Sequence, residues 1–430
     1  MVKKEIPLSA PNLDISIADN LRECVETGWV STGGRFISEF EEKICAYTGA
    51  EKAVACQSGT AGLHTVLRIL GVGPGDIVIA PSLTFIAAVN PIRYQYAEPV
   101  LLGCDKNFCI DPGALERYCS EECFFEGGKL TDKKTGSPVK VLVVVHVFGY
   151  LADMEAIMKI CEKYNIKVLE DATEALGSFW KNGKYKGLHA GLAGDVGVFS
   201  FNANKIITTG GGGMIVSRQE EVLREAGYLT TTAKDDPLYF VHNDVGYNYR
   251  MLNIQAALGV NQIDSLGEFI RIKKQNHALY AQLLSDVPGV RLLGFPDDID
   301  ANHWFYSLYI DDYFGTEAEK PGEAEKPGDA EPNVVDSDGA GQRKNESSGS
   351  DSDKKDESRR DRIMKKLIDE GIQCRPVWRL ISKQEPYKDY RAFDTELALD
   401  YEKHILNLPC STNLSEDEVR YICEKISEIA

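Results

Sequence analysis

The feature that most constrains the fold of this chain is a series of short apolar segments that alternate with segments of helical period. The apolar segments are apolar on both faces, which is typical of strands buried in a parallel sheet. They are KAVAC (52–56), DIVIA (76–80), PVLLG (99–103), VKVLVVVHVF (139–148), IKVLED (166–171), DVGVFSF (195–201) and GMIVS (213–217). The alternation predicts an α/β fold with a mostly parallel, seven-stranded sheet between helices.

The rest of the chain has a different order of elements, which indicates a second, smaller domain. Residues 253–287 have the length and periodicity of one long helix or two joined helices, which would bridge the two parts. Beyond it, the patterns predict a strand, then a helix followed by a strand, and a terminal helix with a capping box at Ser415 and Glu418, over 303–311, 361–377 and 415–429. We expect a large domain over 1–260 and a smaller α+β domain over 261–430.

A segment of foreign composition, residues 315–360, interrupts the smaller domain. It contains 13 acidic and 8 basic residues, no aromatic residue and a tandem repeat of EAEKPG. Because so little apolar surface cannot offset the conformational entropy that ordering would cost, we predict a disordered surface insertion. Both a passive loop and a partner-binding element are compatible with this composition.

Composition and charge argue against several classes of function. The formal net charge of −18 leaves no broad basic surface for nucleic acid, and no segment reaches the ~18 apolar residues of a membrane span. The N-terminal residues lack the apolar stretch of a signal peptide. The eleven cysteines include no C-x-x-C pair and the seven histidines no H-x-x-x-H spacing, so no metal site is predicted. We expect a cytoplasmic protein with reduced thiols.

Polar residues follow several strands of the predicted sheet. Lys205 lies between an apolar strand and four consecutive glycines, and Asp171 directly follows another strand. Ser58, Gly59 and Thr60 form a small polar turn before a helix. Taken singly, each has a structural explanation, either a solvated charge at a strand end or a helix cap. However, open α/β sheets bind ligands at the carboxyl ends of their strands, and a helix N-terminus is an anion site.

In combination, these residues match the needs of pyridoxal 5′-phosphate (PLP). PLP requires an anion site for its phosphate, an acid that keeps its pyridine nitrogen protonated, and a lysine for a Schiff base. The helix start at Gly59, the carboxylate of Asp171 and the amine of Lys205 supply one of each. The combination predicts a PLP site at this edge of the sheet.

The order and context of these residues resemble the nucleotide-sugar aminotransferases of the DegT family, which are PLP enzymes of fold type I. The resemblance covers nearly the whole chain apart from 315–360. It rests on the segments TGWVSTGGRFISEFEEKICAYTGA, CQSGTAGLH, APSLTFIAAVNPI, VVVHVFGYLADM, EDATEALGS, SFNANKIITTGGGGMI, VGYNYRMLNIQAALG and GIQCRPVW. It implies a homodimer with composite active sites.

The resemblance also implies roles for the residues of the cofactor site. Lys205 would hold PLP covalently and then move the proton during transamination, and Asp171 would pair with the pyridine nitrogen. The phosphate would bind to Gly59, Thr60 and Ser200.

Further contacts follow from the same resemblance. Phe85 would stack on the cofactor ring, and Asn248 would reach the phosphate of the neighbouring subunit's cofactor. Glu174 stands near the 3′-oxygen of PLP, where many relatives have histidine or glutamine, so it is either protonated there or alters the electronics of the bound cofactor. His146 could line the pocket or be a satisfied core histidine. Plausible substrate contacts, for which a structural role competes, are Trp29, Ser31 and Arg375.

Lysine at position 205 bears on the type of reaction, because the relatives that deoxygenate sugars have histidine there. The chain therefore resembles the transaminating branch, and SFNANKIITTGGGGMI is similar to the C4-aminotransferases of the bacillosamine and legionaminic acid pathways. Those enzymes act on UDP- or GDP-linked 2-acetamido-4-keto-2,6-dideoxyhexoses with glutamate as amino donor. The alternatives are a perosamine-type enzyme acting on GDP-4-keto-6-deoxymannose, a 3-keto-sugar aminotransferase, and a non-catalytic regulatory protein of the same fold.

Overall fold

The computed structural model of the chain describes residues 5–312 and 358–429. The α-helices are α1 (Ile17–Thr27), α2 (Arg35–Thr48), α3 (Gly59–Ile69), α4 (Asn90–Tyr94), α5 (Pro112–Glu121), α6 (Met154–Tyr164), α7 (Glu220–Thr230), α8 (Asn253–Leu284), α9 (Arg359–Asp369), α10 (Glu396–His404) and α11 (Glu416–Ile429). Within those described ranges, no helix combines the length and the hydropathy that crossing a membrane requires.

The strands include the seven that the sequence predicts and several shorter ones. They are β1 (Lys52–Cys56), β2 (Ile77–Pro81), β3 (Glu98–Leu102), β4 (Cys123–Glu126), β5 (Lys129–Asp132), β6 (Val139–Val145), β7 (Lys167–Asp171), β8 (Phe179–Trp180), β9 (Val196–Ser200), β10 (Gly213–Ser217), β11 (Lys234–Asp236), β12 (Val241–His242), β13 (Val290–Leu292), β14 (Ile299–Asp300), β15 (Tyr306–Ile310), β16 (Arg375–Pro376), β17 (Ala392–Phe393) and β18 (Ile405–Leu408).

The central sheet has eight strands in the order β1-β10-β9-β7-β6-β2-β3-β17. Neighbours from β9 to β17 are parallel, whereas β10 runs antiparallel to both β1 and β9. The inner strands are buried because α3, α6 and α7 are among the helices that pack on the sheet. The prediction of a mostly parallel sheet between helices is confirmed.

The eighth strand, β17, comes from the C-terminal part of the chain and was not predicted. It pairs with β3 through hydrogen bonds from the N–H of Leu101 to the carbonyl of Arg391 and from the N–H of Gly103 to the carbonyl of Phe393, both 2.9 Å long. A Cβ at Gly103 would lie 1.6 Å from the carbonyl oxygen of Asp394. Only glycine at 103 therefore permits this approach of the two backbones.

The second sheet, β13-β15-β18-β16, lies in the C-terminal part and is antiparallel throughout. α8 is one continuous helix, which spans the predicted domain boundary at 260/261. The start of the chain also crosses that division, because the N–H of Ile6 donates to the carbonyl of Gly371 and the N–H of Gln373 to the carbonyl of Ile6, each at 2.9 Å. Backbone pairing of this kind is hard to foresee, since it needs no side-chain pattern.

The terminal helix α11 begins as predicted. Glu418 Oε2 accepts the N–H of Ser415 at 2.8 Å, and Ser415 Oγ accepts the N–H of Glu418 at 3.3 Å. The two groups form a reciprocal capping box, so this prediction is confirmed.

The predicted insertion falls mostly outside the described residues, since 313–357 are not among them. Its predicted end at 360 is wrong, because α9 begins at Arg359 and Ser358 Oγ accepts the N–H of Asp361 at 3.2 Å as its N-cap. The guanidinium of Arg359 donates to the carbonyls of Pro288 at 2.9 Å and Asp311 at 3.2 Å. These bonds join the two flanks of the segment.

Candidate active site

A cavity of about 350 Å³, within the ~300–1,000 Å³ range of small-molecule sites, lies at the carboxyl ends of β6, β7 and β9. The register of the sheet brings these ends together, because Val145 pairs with Asp171, Asp171 with Val198, and Ser200 with Gly213. Seven of the predicted site residues line the cavity: Gly59, Thr60, Phe85, Asp171, Glu174, Ser200 and Lys205. The strand topology thus assembles residues that are far apart in sequence.

The N-terminus of α3 forms one end of the cavity. Ser58 caps the helix by accepting the N–H of Ala61 on Oγ at 3.1 Å. The first N–H groups of a helix have no acceptors within it, so those of Gly59 and Thr60 are available to an anion. A Cβ at Gly213 would come within 2.7 Å of the Ser58 and Gly59 backbones. Glycine at 213 therefore lets β10 pass directly beside this anion site.

Asp171, the last residue of β7, is a nearly buried carboxylate with 4% of its surface exposed. Its Oδ1 accepts the N–H of Thr173 at 3.1 Å. Burial raises the pKa of the Asp171 carboxyl above its ordinary value, while bonds from Thr173 and the positive charge of Lys205 act in the opposite direction. A cationic partner at this carboxylate would offset the remaining free-energy cost of burying its negative charge.

Lys205 lies in the loop that joins β9 to β10, where its N–H donates to the carbonyl of Asn202 at 3.0 Å. Its Nζ is 3.5 Å from Oε1 of Glu174 and 4.1 Å from the centroid of the Trp304 ring. The Trp304 indole is itself held by a 2.9 Å bond from Nε1 to the carbonyl of Asn204. The amine therefore projects into the cavity between a carboxylate and an aromatic face.

Glu174 is buried in the turn after β7. Its Oε2 accepts the N–H of Phe148 at 2.9 Å, and its carbonyl accepts from the side-chain amide of Asn302 at 2.9 Å. Burial raises the pKa of Glu174 to about 7, with Lys205 and the Phe148 N–H opposing that rise. The carboxyl can thus exist in either protonation state near neutral pH.

The other predicted residues lie outside the cavity lining. His146 is fully buried, with Nε2 2.8 Å from Glu170 and Nδ1 accepting the N–H of Ala152 at 3.2 Å, so the structure gives the core-histidine alternative rather than a substrate contact. The remaining four are exposed on the single chain, namely Trp29, Ser31, Asn248 and Arg375.

Sequence reasoning missed the aromatic wall of the cavity. Trp304, Phe305 and Trp378 come from the C-terminal part of the chain and line the site. Trp304 and Phe305 stack at 4.1 Å, and Trp378 lies 4.7 Å from Phe148. The aromatic clusters HWFY and PVW could have indicated these residues, since ligand pockets are lined mainly by apolar and aromatic side chains.

Residues 11–318 and 348–427 match the DegT/DnrJ/EryC1/StrS aminotransferase family. The chain is 30% identical to the GDP-perosamine synthase of Caulobacter vibrioides, over 99% of this chain and 98% of that protein. It is 31% identical to the UDP-4-amino-4-deoxy-L-arabinose--oxoglutarate aminotransferase of Shewanella sediminis, over 71% of this chain and 75% of that protein.

Among solved structures, the aminotransferase TlmJ from Streptoalloteichus hindustanus has the same fold. The TM-score is 0.79 at 24% identity, and 99% of each chain is covered. The fold class expected from the sequence, that of the PLP-dependent aminotransferases, is confirmed.

The residues of the cavity fit PLP, the cofactor of this family. A phosphate needs the anion site that the start of α3 provides, and a protonated pyridine nitrogen needs a buried carboxylate such as Asp171. A Cβ at Gly59 would lie 3.0 Å from side-chain carbons of both Ser200 and Thr173. The missing side chain at 59 keeps the floor of the anion site open.

Proposed function

Because the chain belongs to the DegT/DnrJ/EryC1/StrS aminotransferase family, we propose that it transfers an amino group from glutamate to C4 of a nucleotide-linked 4-keto-6-deoxy sugar. It is a PLP-dependent aminotransferase. The observation that carries the proposal is the convergence of Lys205, Asp171 and the start of α3 in one cavity.

PLP, when bound, supplies an electron sink for negative charge at the carbon that gains or loses the amino group. In our proposal the α3 N–H groups of Gly59 and Thr60, with the hydroxyl of Ser200, hold the phosphate. Asp171 holds the proton of the ring nitrogen, which a carboxylate with 4% exposure does more strongly than one in water. Lys205 binds the cofactor and moves a proton at Nζ. The aromatic wall excludes water from the reacting atoms.

The names of two relatives support the position of the amino group and the donor. One is named for a 4-amino-4-deoxy sugar linked to UDP and for oxoglutarate, the keto acid that glutamate becomes on losing its amino group. The other is named for GDP-perosamine. The first candidate substrate is a UDP- or GDP-linked 2-acetamido-4-keto-2,6-dideoxyhexose. It is supported by the amino-acid sequence of the glycine-rich segment around Lys205, which is similar to that of the C4-aminotransferases. GDP-4-keto-6-deoxymannose is the second, favoured by the likeness to perosamine synthase.

We further propose that two copies form a homodimer with composite active sites, in the cytoplasm. Large apolar side chains are exposed on the single chain, including Phe85 at the cavity (53%) and Tyr239 in the β11–β12 hairpin (76%). Exposed apolar clusters of this kind mark contact surfaces. Asn248 forms a backbone bridge with Thr231, close to that hairpin in the chain, and is exposed on the single chain; it is our candidate for reaching the neighbour's phosphate site.

The cofactor lysine is tested by the visible absorbance of the chain mixed with PLP. We expect a band that Lys205→Ala abolishes and that Lys186→Ala leaves intact, because Lys186 is an exposed lysine away from the site. An unchanged spectrum in Lys205→Ala would refute the proposed role.

The substrate is tested with a panel of UDP-, GDP- and dTDP-linked 3-keto and 4-keto sugars, each with glutamate. Formation of 2-oxoglutarate is the readout. We expect turnover of 4-keto-6-deoxy sugars, and the ratio of rates with and without a 2-acetamido group separates the two candidates. Turnover confined to 3-keto sugars would contradict the proposal.

A further inference from the structure

Glu174 is placed against the reactive end of Lys205 by contacts on both of its oxygens. Oε2 is held by the N–H of Phe148 at 2.9 Å, and Oε1 lies 3.5 Å from Lys205 Nζ. Both side chains are nearly enclosed, with 13% of the Lys205 side chain and 4% of the Glu174 side chain exposed. We propose that Glu174 is a catalytic residue that takes a proton from the ammonium group of Lys205 at Oε1 and later returns it. This inference rests on the proposed role of Lys205 as the cofactor lysine.

The backbone at Phe148 fixes which oxygen of Glu174 faces the lysine. Phe148 has φ 56°, in the left-handed region that non-glycine residues rarely adopt. Its ring packs against Trp304 and Trp378, at 6.1 and 4.7 Å between centroids. Tertiary packing therefore holds an uncommon backbone conformation whose N–H points at Oε2, and Oε1 is left for Lys205.

Several charged or titratable groups face Glu174. Lys205 comes from the β9–β10 loop, Asp171 from the end of β7, and the Cys109 thiol from the segment before α5. Burial raises the pKa of Cys109 well above its ordinary value, so that group stays neutral. His146 is bonded to Glu170 instead. Burial raises the pKa of Glu174 to about 7 and the negative charge of Asp171 adds to that rise, so Glu174 can both accept and release a proton near neutral pH.

The proposed step conserves charge. One N–H bond of the Lys205 ammonium breaks and one O–H bond forms at Glu174 Oε1, with no electron transferred to another group. An ammonium and a carboxylate become a neutral amine and a neutral acid, which burial favours. The neutral amine has the lone pair that a nucleophile needs.

The titration of Glu174 can be followed directly by NMR. The full-length chain, prepared with and without PLP, is labelled with ¹³C at the glutamate side-chain carboxyls and titrated. In the chain without PLP, we expect one carboxyl resonance with a midpoint of about 7, absent in Glu174→Gln. Glu162→Gln, a change at a glutamate whose side chain is 66% exposed, leaves that resonance in place. Lys205→Met raises the midpoint, because the positive charge that favours the carboxylate is gone. Titration at the ordinary glutamate value of about 4.3, or a midpoint unmoved by Lys205→Met, overturns the proposal.

Cofactor capture gives a second readout. Glu174→Gln keeps an acceptor for the Phe148 N–H but cannot take a proton, so Lys205 must lose its proton to solvent. We expect the appearance of visible absorbance on adding PLP at pH 7 to slow by about a hundredfold, with the pH profile displaced upward. Glu174→Asp retains a carboxyl group, so we expect it to keep the shape of the wild-type pH profile. It keeps the proposal testable if the Glu174→Gln variant does not fold. Identical pH profiles in wild type and Glu174→Gln would show a structural role only and overturn the proposal.

These measurements are independent of the sugar. If every nucleotide sugar fails while the carboxyl titrates as expected, the proposed substrate is wrong and the role of Glu174 stands. If transamination proceeds while the carboxyl resonance does not respond to Lys205→Met, the proposed function stands and the role of Glu174 fails.

Discussion

Replacing Gly103 by alanine should release β17 from the edge of the central sheet. The added Cβ would lie 1.6 Å from the carbonyl oxygen of Asp394 and 2.6 Å from its carbonyl carbon. Both are backbone atoms, so no side-chain rotation relieves the clash. The segment around β17 must move away from β3, which breaks the bonds to Arg391 and Phe393.

The structure sets the size of the effect. Two backbone hydrogen bonds of 2.9 Å contribute about 1 kcal/mol each to stability. Phe393, half-buried against Tyr118, loses packing that contributes about 1 kcal/mol more. The exposed Arg117–Asp394 ion pair adds little. We expect Gly103→Ala to lower the free energy of unfolding by about 3 kcal/mol.

The test combines urea unfolding with amide hydrogen exchange, which reports on the N–H groups of residues 101 and 103. Gly227→Ala is the matched control, since Gly227 lies within α7 and a Cβ there meets nothing within 4 Å. Alanine at that position should raise stability by up to about 1 kcal/mol. Wild-type exchange protection at residues 101 and 103 in Gly103→Ala would refute the reasoning.

Other substitutions test the cavity and the buried charges. Asp171→Asn keeps the acceptor for Thr173 but loses the charge, and should lower kcat for transamination by about a hundredfold or more, whereas a change of only a few-fold would contradict the role of Asp171. Gly59→Ala places a Cβ 3.0 Å from Ser200 and should raise the Kd for PLP, measured by absorbance titration. Burial raises the pKa of Asp105 to about 6, so the folded carboxyl binds its proton more tightly than the unfolded one. The wild type should therefore lose about 3 kcal/mol relative to Asp105→Asn as pH rises from about 4 to 6, measured by urea unfolding, and a pH-independent difference would count against this.

The central sheet could be predicted because its strands are buried on both faces. Seven runs of apolar residues then appear in the sequence with helical patterns between them, and each run forms a strand. β17 has two residues and no such pattern, so its pairing depends on the space at Gly103 rather than on its own side chains. The same holds for Ile6, whose backbone bonds reach a segment more than three hundred residues away.

The residues that line the cavity were predictable where they stand at or directly after the ends of strands. Asp171 and Ser200 end strands, and Gly59 opens the helix after one, so the parallel topology brings them together. Trp304 and Trp378 line the cavity from the C-terminal part of the chain. Their position depends on how that part packs against the central sheet, which no local sequence pattern indicates. His146 ends in the core because Glu170, its partner, points away from the cavity on the neighbouring strand.

The hydrogen bonds of Arg359 have a consequence for engineering and for evolution. They join the two flanks of residues 313–357, and the family match also breaks within that segment, between 318 and 348. Because doubling the length of a closed loop costs only about 0.6 kcal/mol, selection on stability acts weakly on the length of the chain between those flanks. We therefore expect that a reporter or a binding domain can be inserted between Asp312 and Ser358 while the residues up to Asp312 and from Ser358 keep their places.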